Sequence, residues 1–148
     1  MSVARLLNCL ETLCGELERE LGDPSANHAP ILSPLPLGSI LEVCDGEQDF
    51  LQELVSDFLG ELPSILQKLE TNLAEGNLEQ VRIIAHTLKG SCGSLGAMRL
   101  LEASRDLEAA ARARDKASSG KAHGDLLDCV AATRIAMSRL QQPLGRVA

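Results

Sequence analysis

The residues that could carry chemistry lie close together in one glycine-rich helical pattern. His86 is followed by Lys89 and Gly90, and then by Gly93 and Ala97. At about 100° per residue, all four fall within about 60° of His86 around the helix. The opposite side of the same helix is apolar and consists of Val81, Ile84, Leu88 and Leu95. This spacing predicts that the imidazole projects into solvent, beside one lysine and otherwise small residues.

An exposed imidazole in these surroundings is suited to carrying a phosphoryl group. Neutral imidazole is a nucleophile near physiological pH, and its exposed Nε2 can form a bond to phosphorus. Lys89, three residues later, can offset the charge of the phosphate. Each mid-helix glycine costs about 1 kcal/mol relative to alanine, so Gly90 and Gly93 indicate that another protein surface approaches closely here. His28 and His123 have no such neighbours and are interpreted as ordinary solvated residues.

The sequence shows none of the groups that would let this chain run nucleotide chemistry alone. We find no acidic cluster placed to hold Mg²⁺ beside His86, no glycine-rich nucleotide loop and no second base. A partner protein must therefore supply the metal and the electrostatic catalysis. The chain is predicted not to be an enzyme, and to have no cofactor and no metal site of its own.

Composition argues against several other classes of protein. The chain has 148 residues, with 14 Lys+Arg, 21 Asp+Glu and a net charge of -7, so it lacks the basic footprint of a nucleic-acid binder. It contains no Trp, no Tyr and only 2 Phe, which predicts an aliphatic core. No run of about 18 apolar residues could cross a membrane. The length favours a single domain.

Cysteine usage and the N-terminus indicate an intracellular protein. The 5 cysteines are scattered without a C-x-x-C pair, which is typical of free thiols rather than of a disulfide framework or a zinc site. The N-terminal residues have neither the apolar stretch nor the cleavage site of a signal peptide. We therefore expect a cytoplasmic location, extending to the nucleus if the organism is eukaryotic.

Helical periodicity extends over most of the chain, and no segment alternates as a strand would. A first helix is predicted over residues 3–21, followed by an extended, mobile, proline-rich connection over residues 22–38. Ser39 and Glu42 form a capping-box pattern that opens a short helical turn. A loop is predicted at Ser118-Ser119-Gly120, and four longer helices over residues 45–74, 77–95, 98–116 and 122–141.

The short links between the last four helices predict an all-α, up-down-up-down four-helix bundle with an additional N-terminal helix and a short helical turn. We place the domain boundary between the N-terminal helix with its connection, residues 1–38, and the bundle, residues 39–148.

The residues around the histidine also match a known signature. The stretch reads His86-Thr87-Leu88-Lys89-Gly90-Ser91, and Ser94-Leu95-Gly96-Ala97 follows. It closely resembles the H-x-x-K-G-S signature of histidine-containing phosphotransfer (HPt) domains, and the resemblance covers about residues 40–141. It implies that His86 accepts a phosphoryl group from the aspartyl phosphate of a receiver domain and passes it to another receiver.

The resemblance also implies roles for the neighbouring residues. Lys89 would neutralise the phosphate and Gly90 would admit the receiver, for which Gly93 and Ala97 also leave room. HPt domains often place a polar residue of the next helix near the histidine. Glu108 is the candidate here, although its carboxylate would repel a phosphoryl group. The implied partners are receiver domains of hybrid histidine kinases and response regulators, with no nucleic acid and no membrane, and we expect a monomer.

Three alternatives stay open beside the phosphorelay carrier. The chain could be the phosphoacceptor fragment of a chemotaxis-type histidine kinase, which has a similar motif but also a kinase domain. It could be a helical adaptor that is not phosphorylated, which the intact His86 disfavours. A small helical enzyme is disfavoured because no second catalytic group accompanies the histidine.

Overall fold

The computed structural model describes residues 2–22 and 28–144, and this part of the chain consists of helices joined by short links. Its helices are α1 (Val3–Leu21), α2 (Pro34–Val43), α3 (Gln48–Ala74), α4 (Leu78–Leu95), α5 (Met98–Arg112) and α6 (Lys116–Leu140). No strand occurs among these residues. The predicted all-α class is therefore confirmed.

Helices α3 to α6 form the predicted four-helix bundle. Each packs against the next along the chain, and α6 packs against α3, so the four helices form a closed ring of neighbours. Leucines at helical spacing fill the interior, among them Leu62, Leu69, Leu88, Leu100, Leu107 and Leu126. Each buried leucine stabilises the fold by about 1.5–3 kcal/mol. Phe58 is buried with them, whereas Phe50 is half exposed.

Helices α1 and α2 cover the end of the bundle where α4 leads into α5. Helix α2 packs against α1, α3 and α4. The backbone N–H of Ser33, just before α2, donates to the carbonyl of Gly96 between α4 and α5 at 2.8 Å. The apolar stripe of α1 is buried, namely Leu6, Leu10, Leu13 and Leu17. The N-terminal helix is therefore part of the common core.

A buried arginine ties the N-terminal segment to the bundle. Arg99, at the start of α5, is 8% exposed. Its guanidinium donates to the Glu18 carboxylate of α1 at 2.6 Å and to the carbonyl of Ala29 at 3.0 Å. The second carboxylate oxygen of Glu18 accepts the backbone N–H of Ile31 at 2.9 Å. Glu18 and Arg99 thus hold α1, the following segment and α5 together.

The prediction of an extended connection through residue 38 is wrong for its last five residues. Pro34 opens α2, and Ser33 is the N-cap. A proline in the first turn is tolerated because its missing N–H would have no helical partner there. The domain boundary predicted between residues 38 and 39 therefore falls inside a helix. The mobility predicted for residues 23–27 lies outside the described part of the chain.

The capping box predicted at Ser39 and Glu42 is also wrong. Ser39 lies inside α2, and its hydroxyl donates to the carbonyl of Leu35 one turn earlier at 3.1 Å. Because the helix has already begun at Pro34, no orphan backbone N–H remains at Ser39 for a cap to satisfy.

The link between α5 and α6 differs from the prediction as well. Helix α5 ends at Arg112 rather than near residue 116. The predicted loop at Ser118-Ser119-Gly120 is part of α6, because Asp115 caps this helix. The Asp115 carboxylate accepts the Ser118 backbone N–H at 3.0 Å and its hydroxyl at 2.7 Å. The cap therefore decides where the helix begins, despite the serines and glycine that follow.

Candidate functional site

His86 lies near the middle of α4, and its side chain is 63% exposed. The opposite face of the helix is buried and consists of Val81, Ala85, Leu88, Cys92 and Leu95. The predicted exposure of His86 is therefore confirmed. The buried face differs slightly from the predicted one: it includes Ala85 and Cys92, whereas Ile84 is only partly buried.

A buried carboxylate on α5 contacts the imidazole. Oε2 of Glu108 lies 2.9 Å from Nδ1 of His86, and the Glu108 side chain is only 6% exposed. Lys89 Nζ lies 3.2 and 3.3 Å from the two carboxylate oxygens. Arg112, one turn further along α5, donates to Oε1 at 3.1 Å. One carboxylate thus brings together His86, Lys89 and Arg112.

These contacts determine which nitrogen of His86 is free. Burial raises the pKa of Glu108, but the hydrogen bonds from His86 and Lys89 and the charge of Lys89 outweigh this effect and hold that pKa below its ordinary value. Glu108 is therefore ionised at neutral pH and can only accept hydrogen bonds. The hydrogen between the two side chains must then belong to Nδ1, so in the neutral ring the lone pair is on Nε2.

The small residues of the motif occupy three different environments. A side chain at Gly90 would meet nothing within 4 Å, so the surface there is open. A side chain at Gly93 would contact Leu101 of α5 at an ordinary 3.5 Å. Ala97 is fully buried, so the prediction that it leaves room for a receiver is wrong. The helix ends at Leu95 and Gly96 turns the chain with φ 72°, so helical spacing no longer applies to Ala97.

An apolar groove runs between α2, α3 and α4. It consists of two adjoining cavities of about 360 and about 410 Å³, which share Ile40 and Ser94. Its apolar walls include Val43, Phe50, Leu54, Ile65, Leu88 and Leu95. We call it the α2–α3–α4 groove. Gly93 lines its outer cavity, so the groove opens beside the helix that carries His86.

The other two histidines do not form comparable sites. His28 is exposed, and its Nδ1 lies 3.3 Å from Glu102. His123 is only partly exposed, and its Nε2 is buried without a hydrogen-bond partner among the described residues, so the interpretation of His123 as an ordinary solvated residue is wrong. Across residues 2–22 and 28–144, no three His, Cys, Asp or Glu side chains lie together as a metal site would require. None of the helices in these ranges is long and apolar enough to cross a membrane.

Two parts of the site are not predicted from the sequence. Arg112 is one of them, although it lies four residues after Glu108 on the same helix, a spacing at which opposite charges pair. The groove is the other, because it is lined in part by α2. The prolines at the start of this helix led to the prediction of an extended chain there.

Comparison with known proteins identifies the family. The model of the Hpt domain matches residues 53–143. This chain belongs to the Hpt domain family. Among solved structures, it is similar to histidine-containing phosphotransfer protein B from Pseudomonas aeruginosa PAO1, with a TM-score of 0.67, 24% identity, and coverage of 76% of this chain and 96% of that chain. No curated protein sequence matches this chain.

The family confirms the function predicted from the motif. Hpt domains are phosphotransfer carriers that interact with receiver domains, and they are not enzymes in the usual sense. This Hpt protein is therefore a phosphorelay carrier in two-component signalling. The matched residues contain all of α4 and α5, and hence the charged groups around His86. Helices α1 and α2 and the start of α3, which include part of the groove, precede them.

Proposed function

We propose that His86 is the phosphoacceptor of this Hpt protein. Its Nε2 takes a phosphoryl group from the aspartyl phosphate of one receiver domain and passes it to the aspartate of another. The observation that supports this assignment is the 2.9 Å contact between His86 Nδ1 and the buried carboxylate of Glu108. The contact holds the ring by one nitrogen, while the exposed side chain offers the other nitrogen to a partner.

In the accepting step, the Nε2 lone pair forms the bond to phosphorus while the bond between phosphorus and the aspartyl oxygen breaks. The receiver aspartate leaves as a carboxylate. Because Nδ1 keeps its hydrogen, the phosphorylated ring carries a positive charge, which Glu108 compensates at 2.9 Å. This attraction offsets the repulsion expected between the carboxylate and the phosphoryl group.

Lys89 and Arg112 supply the cations that a phosphoryl group requires. Both contact Glu108 in the free protein. Their long side chains can turn towards a phosphoryl group on Nε2 without any movement of the helices. Hydrogen bonds between these charged groups are stronger than those between neutral groups. Glu108 thus holds two cations on the same carboxylate that contacts the imidazole.

The receiver reaches His86 across the open surface at Gly90, where no side chain blocks its approach. The α2–α3–α4 groove beside this surface offers the apolar contact that transient interfaces use in part. The receiver supplies Mg²⁺ and the electrostatic catalysis, since in-line phosphoryl transfer depends on both. The monomeric state and the cytoplasmic location stay predictions.

The test mixes the purified chain with a receiver domain labelled by radioactive acetyl phosphate in the presence of Mg²⁺. Label should move to the chain and should be stable in alkali and lost in acid, as expected for a phosphorus–nitrogen bond. The substitution His86→Gln should abolish acceptance. His28→Gln, at an exposed histidine outside the site, should accept label like the wild type. Label on His86→Gln would show that the site is wrongly assigned.

A second pair of variants tests the approach of the receiver. Gly90→Gln should slow transfer about tenfold or more, because the added side chain holds the reacting atoms apart. Gly124→Gln is the matched control, since a side chain there also meets nothing within 4 Å but lies on α6. Equal transfer rates in the two variants would contradict docking over Gly90.

A further inference from the structure

The negative charge of the chain is concentrated in one stretch. From Glu20 to Gln67, both included, there are nine Asp and Glu residues and no Lys or Arg, although the whole chain has a net charge of only -7. Within this stretch, four exposed carboxylates recur every four residues along α3: Asp49, Glu53, Asp57 and Glu61. We call these four the acidic band.

The fold explains only the first member of the acidic band. Asp49 lies in the first turn of α3, where the helix dipole favours a negative charge, whereas the other three carboxylates lie further along the helix. Like charges four residues apart destabilise a helix by about 0.2–0.5 kcal/mol per pair. Within the described ranges, none of the ion pairs involves any of the four carboxylates. A row of like charges without partners in its own protein is suited to neutralisation by a basic partner.

The acidic band borders the α2–α3–α4 groove. Asp57 and Glu61 line the same cavity as Leu54 and Leu88. Phe50, next to the first carboxylate of the band, is 47% exposed and lines the adjoining cavity. Apolar surface and unpaired negative charge therefore lie side by side on one face of the molecule.

Positively charged side chains lie near the histidine on its own helix, α4, and on α5. Arg82, one turn before His86, pairs with Glu79 at 2.5 Å. The hydrogen bond from Arg82, together with the charges of Arg114 and Arg112, holds the pKa of Glu79 below its ordinary value. The three arginines therefore lie near Glu79. The protein surface is thus acidic along α3 and basic around the phosphoacceptor.

We infer that the acidic band selects receiver domains by charge. The partner that fits this surface has an apolar patch for the groove and basic side chains that face Asp57 and Glu61, while its phosphoryl group faces the cations around His86. This inference rests on the proposed function. Opposite charges on the two sides fix the orientation of a docked partner and accelerate its association. Receivers with a neutral or acidic surface at that position are disfavoured.

The test reverses charge at the groove. The variant Asp57→Lys/Glu61→Lys is compared with the wild type and with Asp125→Lys/Asp128→Lys, a matched pair of exposed carboxylates on α6 that line a different cavity. The probe is a panel of receiver domains labelled by radioactive acetyl phosphate. Transfer rates at subsaturating receiver are measured from about 20 mM to about 500 mM NaCl, over which the Debye length falls from about 20 Å to about 4 Å.

We expect wild-type transfer to slow as salt rises, and the fastest receivers to be those with basic residues beside their phosphorylation site. The α3 variant should transfer about tenfold or more slowly at low salt, with a flatter salt dependence, while the α6 variant stays within about twofold of the wild type. Circular dichroism checks that each variant is folded. If the lysine variant does not fold, Asp57→Asn/Glu61→Gln replaces it and should show a smaller loss in the same direction.

Two outcomes contradict the inference and are distinguishable. If the α3 variant transfers at the wild-type rate with the same salt dependence while label still reaches His86, charge selection is wrong and the proposed function stands. If no receiver labels the wild-type chain, the proposed function fails, and the inference fails with it.

Discussion

Glu108 is the single residue on which the geometry of the site most depends. Its carboxylate is 6% exposed and contacts His86, Lys89 and Arg112. A carboxylate buried to this extent is tolerated because its oxygens have hydrogen-bond partners. In the proposed function it is a positioning residue, since it contacts Nδ1 of the imidazole and not the nitrogen that would react.

Replacing Glu108 by alanine should slow phosphoryl acceptance about 10- to 100-fold, because the ring loses its fixed tautomer and its orientation. Glu102→Ala is the control, since Glu102 lies on the same helix but contacts His28 instead. Nitrogen NMR of the His86 ring gives a second readout. The wild type should show a protonated Nδ1, and Glu108→Ala a mixture of tautomers. An unchanged rate and an unchanged tautomer would contradict the positioning role.

The sequence predicts a residue of the site only when that residue lies on the same helix as His86 or when the family resemblance indicates it. Spacing along one helix places Lys89 and Gly90 beside His86 whatever the rest of the fold does. Glu108 lies on another helix, and only the family resemblance points to it. Ala97 shows where spacing fails, because the backbone has already left the helix at Gly96.

Among the secondary-structure elements, the turn between α4 and α5 places the tightest constraint on the site, because these two helices contribute His86 and Glu108. Gly96 ends α4 with φ 72°, and a side chain at this position would lie 2.6 Å from the carbonyl oxygen of Ser33. The left-handed conformation and the close approach both require glycine here.

Gly96→Ala should therefore destabilise the protein by at least about 1–2 kcal/mol, the cost of a left-handed residue with a Cβ atom, and the contact with Ser33 adds to that cost. Gly120→Ala, inside α6 with nothing within 4 Å, should instead stabilise it by about 0.4–1 kcal/mol. Urea unfolding of both variants measures the free energies. A Gly96→Ala protein as stable as the wild type would show that the turn can adopt another conformation.

Helix boundaries are harder to predict than the helices themselves. Periodic leucines predict α1 and the bundle helices correctly, because a buried stripe needs the same spacing in any packing. The prolines before Leu37 suggest an extended chain, yet the first turn of a helix accepts proline as readily as a coil does. The glycine and serines near the start of α6 suggest a loop, yet the Asp115 cap and the packing of the helix outweigh their weak preferences.

Considered as a whole molecule, the N-terminal segment and the bundle form one unit. Arg99 is buried under this segment, and its charge is matched by Glu18 at 2.6 Å. Arg139 makes a second contact between α6 and α1, with Glu20 at 3.1 Å on a more exposed surface. The family match begins at residue 53 and includes both arginines. The two ion pairs therefore connect α1 to the part of the chain that matches the family.

Glu18→Ala should destabilise the whole protein by about 1.5–3 kcal/mol, because it leaves a buried guanidinium without its charged partner. Glu20→Ala should cost less than about 1 kcal/mol, since exposed ion pairs contribute little. Thermal unfolding of the two variants in parallel gives the comparison. Equal losses would mean that the buried contact contributes no more than the exposed one.

The hydrogen bond between Nδ1 and Glu108 also has a consequence for the relay as a system. In the proposed function, the Nδ1 hydrogen stays in its hydrogen bond to Glu108 before, during and after the reaction. Accepting and donating a phosphoryl group are then the same exchange in opposite directions. No proton is taken up from water or released to it, so the chemical step should show little solvent isotope effect. The direction of flow then depends on the two receivers and their relative phosphorylation, and not on the carrier between them.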